Sequence, residues 1–233
     1  MINKFRHELK YICSDAELAT MQLRLSHLMK RDPHTRPDGT YLIRSIYYDD
    51  YDNSYFNANE DGVNERKKWR IRSYNCNSDN INLECKRKQN GMIQKSSCKL
   101  TREQFDFVTD KTKLLHASSL ISAENPALLN EFLLLCQTTL LKPVVIVQYE
   151  RRPFIYHEGN VRVTFDRSIS SSKDIDGFFD EDLAVRPIMP VGRQLLEVKY
   201  DEFLPDTIYR TVQKRDMSLT TFSKYYLCRR YSM

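Results

Sequence analysis

The sequence predicts an α+β fold built on an antiparallel sheet, and three observations carry that prediction. Eight stretches read as strands, at 4–13, 41–49, 67–75, 81–89, 92–100, 144–157, 160–169 and 193–201. Two turn signals join neighbours into hairpins: Asn90-Gly91 within "KRKQNGMIQK" and Gly159-Asn160 within "YHEGNVRV". Helices with legible caps stand between the strands and close the chain, as in domains that segregate helices from an antiparallel sheet. The 233 residues are read as one domain, 1–233, long enough to bury a sizeable core.

The helices follow from their caps, in order. Ser14 and Glu17 form a capping box ahead of Leu18, Met21, Leu25 and Leu28, an apolar stripe at helical spacing. Thr101 and Gln104 open a second helix through Phe105 and Val108. Asn125-Pro126 reads as an N-cap with proline at the first helical position, and that helix must end before Pro143. Pro205 begins another helix, and "SLTTFSKYYLCRRY" reads as the last.

Composition removes several function classes. Thirty-six Lys and Arg against thirty-one Asp and Glu leave a charge of +5, too even for a histone-like binder. The six cysteines show no C-x-x-C and no paired histidine spacing, which argues against a zinc centre and against a disulfide framework. The N-terminus has no apolar core of a signal peptide, and "ALLNEFLLLCQTTLL" carries Glu131 and is too short to span a bilayer. A cytoplasmic setting is expected, with no membrane span of the chain's own. No P-loop, G-x-G-x-x-G or G-x-S-x-G occurs, and the five histidines have no ligand spacing.

The strand faces carry the chemistry. In "KKWRIRSYN", Lys68, Arg70 and Arg72 alternate with Trp69 and Ile71. The same division recurs: Arg6, Glu8 and Lys10 share a face, as do Glu84, Lys86 and Lys88. Further along, Lys95, Ser97 and Lys99 share one, then Tyr149 with Arg151, Arg162 with Thr164 and Asp166, and Glu197 with Lys199. An open sheet with one solvated face accounts for part of this. The other geometry is a barrel whose apolar face lies under helices and whose polar face lines a lumen. Such a lumen sets Lys10, Arg70, Arg72, Lys86, Lys95, Arg151 and Arg162 against Glu8, Glu84 and Glu197, seven cations to three carboxylates. Confined like charges repel unless a polyanion compensates them, and arginine's planar fork suits phosphate. A phosphate-rich ligand is therefore expected.

The motifs "FRHELKY", "WRIRSY", "LECKRK", "YERRPF", "VRVTFD", "LLEVKY" and "FSKYY" resemble, in order and over essentially the whole chain, the VTC domain of the vacuolar transporter chaperone. That domain is grouped with the triphosphate tunnel metalloenzymes and the CYTH-type triphosphatases and adenylate cyclases. The resemblance implies a closed eight-stranded antiparallel barrel with helices outside and a C-terminal helix at one mouth. It also implies a polymerase that builds inorganic polyphosphate from ATP with Mg²⁺ or Mn²⁺. Carried over by motif, Arg70, Arg72, Arg151 and Arg162 clamp the transferring phosphoryl, with Lys224 on the terminal helix. Lys10, Lys86, Lys95, Tyr149, Lys199 and Ser223 contact phosphate, and Glu197 of L-E-V-K holds the metal. Ser97 replaces an arginine common in the family, and Lys99 is expected to take over that contact.

One departure bears on function. Arg6 stands where the hydrolase branch has its first glutamate, which weakens support for a second metal and for activating water. Polymerisation is thus favoured over triphosphate hydrolysis or mere binding of polyphosphate or nucleotide. ATP and inorganic polyphosphate are the expected partners. The family's complex has membrane spans while this chain shows none, which leaves a membrane-associated partner open. A nucleic-acid role is not expected, since no RNP-type aromatic pair occurs and the cations avoid exposed helices.

Overall fold

Ser14 ends the first strand and starts the first helix in a single residue. Its hydroxyl accepts from the Glu17 amide while the Glu17 carboxylate accepts from the Ser14 amide at 2.8 Å. This capping box satisfies two otherwise orphaned donors. The computed structural model describes residues 5–213, 217 and 219–232. In chain order it contains β1 (His7–Ser14), α1 (Asp15–Leu28), β2 (Lys30–Arg31), β3 (Tyr41–Asp49) and α2 (Ser54–Glu60). Next come β4 (Arg66–Tyr74), β5 (Ile81–Gln89), β6 (Met92–Leu100), α3 (Arg102–Thr109) and α4 (Ala127–Thr138). Then follow β7 (Lys142–Tyr156), β8 (Val161–Ser172), β9 (Arg186–Pro187), β10 (Arg193–Tyr200), α5 (Asp206–Val212) and α6 (Lys224–Arg230).

All eight expected strands are present, and every pairing between them is antiparallel, in the order β1-β10-β8-β7-β3-β4-β5-β6. β2 pairs with β7 and β9 with β8. Both predicted hairpin turns form. Asn90 and Gly91 take φ of 49° and 77°, the doubly left-handed pair that a tight hairpin requires.

The expected closed barrel is corrected. The sheet curls into a half-barrel, and its end strands β1 and β6 share no continuous ladder among the described residues. They meet at one isolated bridge, Arg6 to Ile93, made of two amide–carbonyl bonds of 2.8 and 2.9 Å. Alternation of side chains is identical in an open and a closed sheet, so the pattern could not decide this.

The outer face is covered by helices in two places. Trp69, Ile71, Leu83 and Cys85 pack under α3, α4 and the 3₁₀ segment Lys113–Leu120, with Phe132 at the centre. Val163, Phe165, Leu196 and Val198 pack under α1 and α5. On the inner face, Tyr225 and Cys228 of α6 join Ile43, Val145, Val147, Ile169 and Leu195. No helix among the described residues is long and apolar enough to cross a membrane.

Helix boundaries differ from expectation, and Pro205 caps α5 without being its first residue. Pro126 caps α4 and is not its first residue. The last helix begins at Lys224, six residues later than expected; Leu219–Ser223 are non-helical and tied to β1, where the Thr220 amide bonds the Lys10 carbonyl at 2.9 Å. Ser218 and Lys4, parts of the expected last helix and first strand, lie outside the described residues. The unexpected helix α2 starts after Asn53 in a left-handed conformation, and the buried Asp49 carboxylate accepts from the Tyr55 and Phe56 amides.

Candidate functional site

The inner face of the curled sheet encloses a cavity of about 530 Å³. Strand alternation decides what lines it. Trp69 and Ile71 face outward into the core, so Lys68, Arg70 and Arg72 must face in. Of the thirteen residues expected in the site, twelve line this cavity: Lys10, Arg70, Arg72, Lys86, Lys95, Tyr149, Arg151, Arg162, Glu197, Lys199, Ser223 and Lys224. Lys99 does not. It shares the parity of Lys95 but is exposed, paired in register with Asn82 beyond the cavity's rim. Periodicity gives the face a residue occupies, not its height along the strand.

Four buried carboxylates organise the cations into groups. Glu8 binds Lys10 and Lys86, each at 3.0 Å, with Lys199 at 3.6 Å. Burial works to raise the Glu8 carboxyl, but the three lysines hold it well below the usual range. Glu84 holds Arg70 through two bonds of 2.7 and 2.6 Å and Lys95 at 2.9 Å, with Arg72 at 3.8 Å. Against its burial, these cations keep Glu84 ionised far into acid.

Asp166 takes Arg151 in a two-bond fork of 2.6 and 2.7 Å, and Lys224 Nζ at 2.6 Å. Glu197 accepts from Lys224 at 2.7 Å, Arg151 at 3.2 Å and Lys199 at 3.4 Å. Burial would raise Glu197, yet Lys224, Lys199, Arg151 and Lys10 hold it well below the normal carboxylate range. Lys224, although buried, is pushed up by Asp166 and Glu197 and stays charged.

The lysines respond the other way. Burial pulls Lys86 down to about 7, opposed by Glu8 and reinforced by Lys10 and Lys199. Burial likewise lowers Lys199 and Lys68. Arg162 sits apart, its guanidinium on Asp32 at 2.6 Å and the Tyr41 hydroxyl at 2.7 Å. Tyrosines steer two other arginines: Arg70 donates to Tyr47 at 3.0 Å and Arg72 to Tyr149 at 3.2 Å.

Several lining residues were not in the expected site. Lys68 donates to Ser223 at 2.8 Å and to Asn59 at 2.5 Å, and Lys10 donates to the Phe222 carbonyl at 2.8 Å. Arg66 and Lys88 line the cavity further along the same two strands. For Lys68, Arg66 and Lys88 the signal existed, since each continues the alternation of its strand; for Asn59 and Tyr41 there was none. Asp166 lay on the polar face of its strand, but its partnership with Lys224 joins positions too far apart in sequence to be inferred.

The model of the VTC domain family matches residues 5–232. The chain belongs to the VTC domain family. No curated protein sequence matches this VTC domain. Among solved structures it is similar to a Hippeastrum adenylyl-cyclase-type protein for which a dominant triphosphatase activity is described. There the TM-score is 0.57 at 12% identity, over 98% of this chain and 97% of that one. A Bacillus halodurans adenylate-cyclase-type protein is also similar, with TM-score 0.47 and 15% identity over 91% and 87% of the two chains. The Hippeastrum likeness establishes a shared fold.

The donor set of the VTC domain sets terms for a metal. Among the described residues no three His, Cys, Asp or Glu side chains gather as a metal cage. Glu8 and Glu197 both present hard oxygens to the lumen, on neighbouring strands where Glu8 pairs with Lys199 and Lys10 with Glu197. One or two carboxylates completed by phosphate oxygens is the arrangement Mg²⁺ ordinarily uses. The residues therefore fit a divalent ion that arrives with a phosphate ligand, not one held by protein alone.

Proposed function

We propose that this VTC domain transfers the terminal phosphoryl group of ATP to a growing polyphosphate chain inside the lumen. The supporting observation is the convergence of Arg70, Arg72, Arg151 and Arg162 with seven lysines on one cavity lined by two carboxylates, Glu8 and Glu197. The bond between the γ-phosphorus and the bridging oxygen of ATP breaks, a terminal oxygen of the chain bonds that phosphorus, and ADP leaves. The attacking oxygen is already anionic, so no general base is required. Positioning and charge neutralisation supply most of the rate in such transfers.

Of the four clamping arginines Arg72 has no close carboxylate, being held mainly by Ser45 and Tyr149, which leaves it free to grip the transferring group. Arg70 and Arg151 are oriented by Glu84 and Asp166, which fix the guanidinium planes before ligand arrives. Lys10, Lys86, Lys95 and Lys199 guide the chain, and Lys224 with Ser223 borders the reacting end. Mg²⁺ or Mn²⁺ at Glu197, when bound, neutralises charge on the triphosphate oxygens. Arg6 supports synthesis over hydrolysis: it pairs with Asp201 at 2.6 Å, where a carboxylate would be needed to activate water.

The test is to incubate the protein with ATP and Mn²⁺ and resolve the products on a polyphosphate gel. Long polymer with ADP is expected. Orthophosphate alone would replace this reading with triphosphate hydrolysis, the activity described for the Hippeastrum protein. No nucleotide consumption would leave a binding module.

A further inference from the structure

The strand register places like charges face to face at one end of the lumen. On β4 and β5, Lys68 stands directly opposite Lys86, and Arg66 directly opposite Lys88. Directly opposed like charges destabilise an antiparallel pair, and here two such pairs are consecutive on one face. Their counter-charge is thin. Lys86 has Glu8, whereas Lys68 donates to neutral Asn59 and Ser223 and Arg66 reaches the Ala58 carbonyl at 3.5 Å. Lys88 is pulled down by burial and by Arg66 and Lys10. All four line the cavity.

We infer that this end of the lumen is a second phosphate station, holding the phosphoryl groups of a condensed phosphate beyond those gripped by the arginines. The inference deepens the polymerase reading and rests on its phosphate-filled lumen. Length supports it. Arg72, Arg70, Lys68 and Arg66 project inward at every second residue, so the basic row runs roughly 20 Å along β4 at strand rise. A triphosphate is shorter than that row. Cations set beyond its reach serve only a longer anion.

Side-chain type supports it too. The arginine end offers rigid forks tied to carboxylates and tyrosines, suited to fixing one phosphoryl group in place. The Arg66–Lys68–Lys86–Lys88 end is mostly lysine, point charges on flexible stems that hold phosphate without fixing its orientation. A chain that must advance after each addition needs grip of that second kind.

The test compares three ligands on the wild type and on the double variant Arg66→Gln/Lys88→Gln: tripolyphosphate, long-chain polyphosphate and a single-stranded oligonucleotide. The variant is expected to bind tripolyphosphate as the wild type does, while losing about tenfold or more in affinity for the long chain, with a shallower salt dependence. Equal losses for both phosphates, or none for either, would overturn the second station. An oligonucleotide that binds the wild type as tightly as polyphosphate, and weakens likewise in the variant, would overturn its assignment to condensed phosphate. If wild type binds neither phosphate, the lumen reading itself fails, a distinguishable outcome. Circular dichroism and thermal unfolding of the variant control for folding; relief of the opposed charges should leave it at least as stable as wild type.

Discussion

Lys224 Nζ sits 2.7 Å from Glu197 Oε1, a bond that ties the terminal helix to β10 inside the lumen. Glu197 thus serves two masters under the proposed function: it neutralises Lys224, Arg151 and Lys199, and it is the carboxylate proposed to meet a metal. Glu197→Gln should abolish metal-dependent turnover. Without metal it should bind tripolyphosphate more tightly than wild type, because three cations lose a competitor. Leaving a buried cation group short of charge costs about 3–5 kcal/mol, so the unliganded variant should melt earlier and recover on adding tripolyphosphate. Calorimetry and thermal shift check this; weaker metal-free binding would contradict it.

Arg70→Ala should act on binding itself. A charge-assisted hydrogen bond contributes about 1.5–3 kcal/mol, so tripolyphosphate affinity should fall roughly ten- to hundredfold with or without Mn²⁺. Glu84 then keeps only Lys95 and the more distant Arg72, and a companion Arg70→Lys should recover charge but not the fork. Isothermal titration of both variants measures the difference.

Lys86 gives a pH dependence with opposite signs for binding and stability. Its folded value is about 7, well under its ordinary 10.5. Between those values the unfolded chain binds the proton that the folded one has released, so stability contributed by this group rises with pH across the window and is lost as pH falls through 7. Phosphate binding needs the ammonium and should weaken as pH rises above 7. Binding should also take up protons, which titration in buffers of different ionisation enthalpy detects. Lys86→Met should flatten both profiles.

Phe132 lies between Tyr48, at 4.9 Å, and Trp69, at 5.4 Å, under the strand that carries the arginines. Phe132→Ala should destabilise the protein by about 3–5 kcal/mol in chemical denaturation. The surviving folded fraction should keep its tripolyphosphate affinity, since the ring touches only the outer face of that strand.

The inner and outer faces of the strands were legible because a period of two leaves little choice once Trp69, Leu83, Val163 and Val198 must be buried. Hence twelve expected site residues share one cavity. Height along a strand was not legible, which is why Lys99 lies outside the cavity while Arg66 and Lys88 line it. Helix starts were legible where a side chain near in sequence caps them, as at Ser14 and Thr101. They were not where the capping group is tertiary or the competing bond is remote. Asp49 launching α2 and the Lys10 carbonyl holding the Thr220 amide are of that kind. The join between β1 and β6 depends on curvature, which alternation does not encode.

That join has a topological consequence. A tube laddered all the way round can be loaded only by threading an end through it, and a long polymer must first find that end. A half-barrel whose edges, among the described residues, share one two-bond bridge and the Glu8–Lys86 ion pair is a slotted needle. Parting Arg6 from Ile93, together with the Glu8–Lys86 ion pair, would open the wall lengthwise without unzipping any ladder among the described residues, and under the proposed function a polyphosphate of any length would enter from the side. Those two amides, Arg6 and Ile93, should then be the first of the sheet's paired amides to exchange with deuterated solvent.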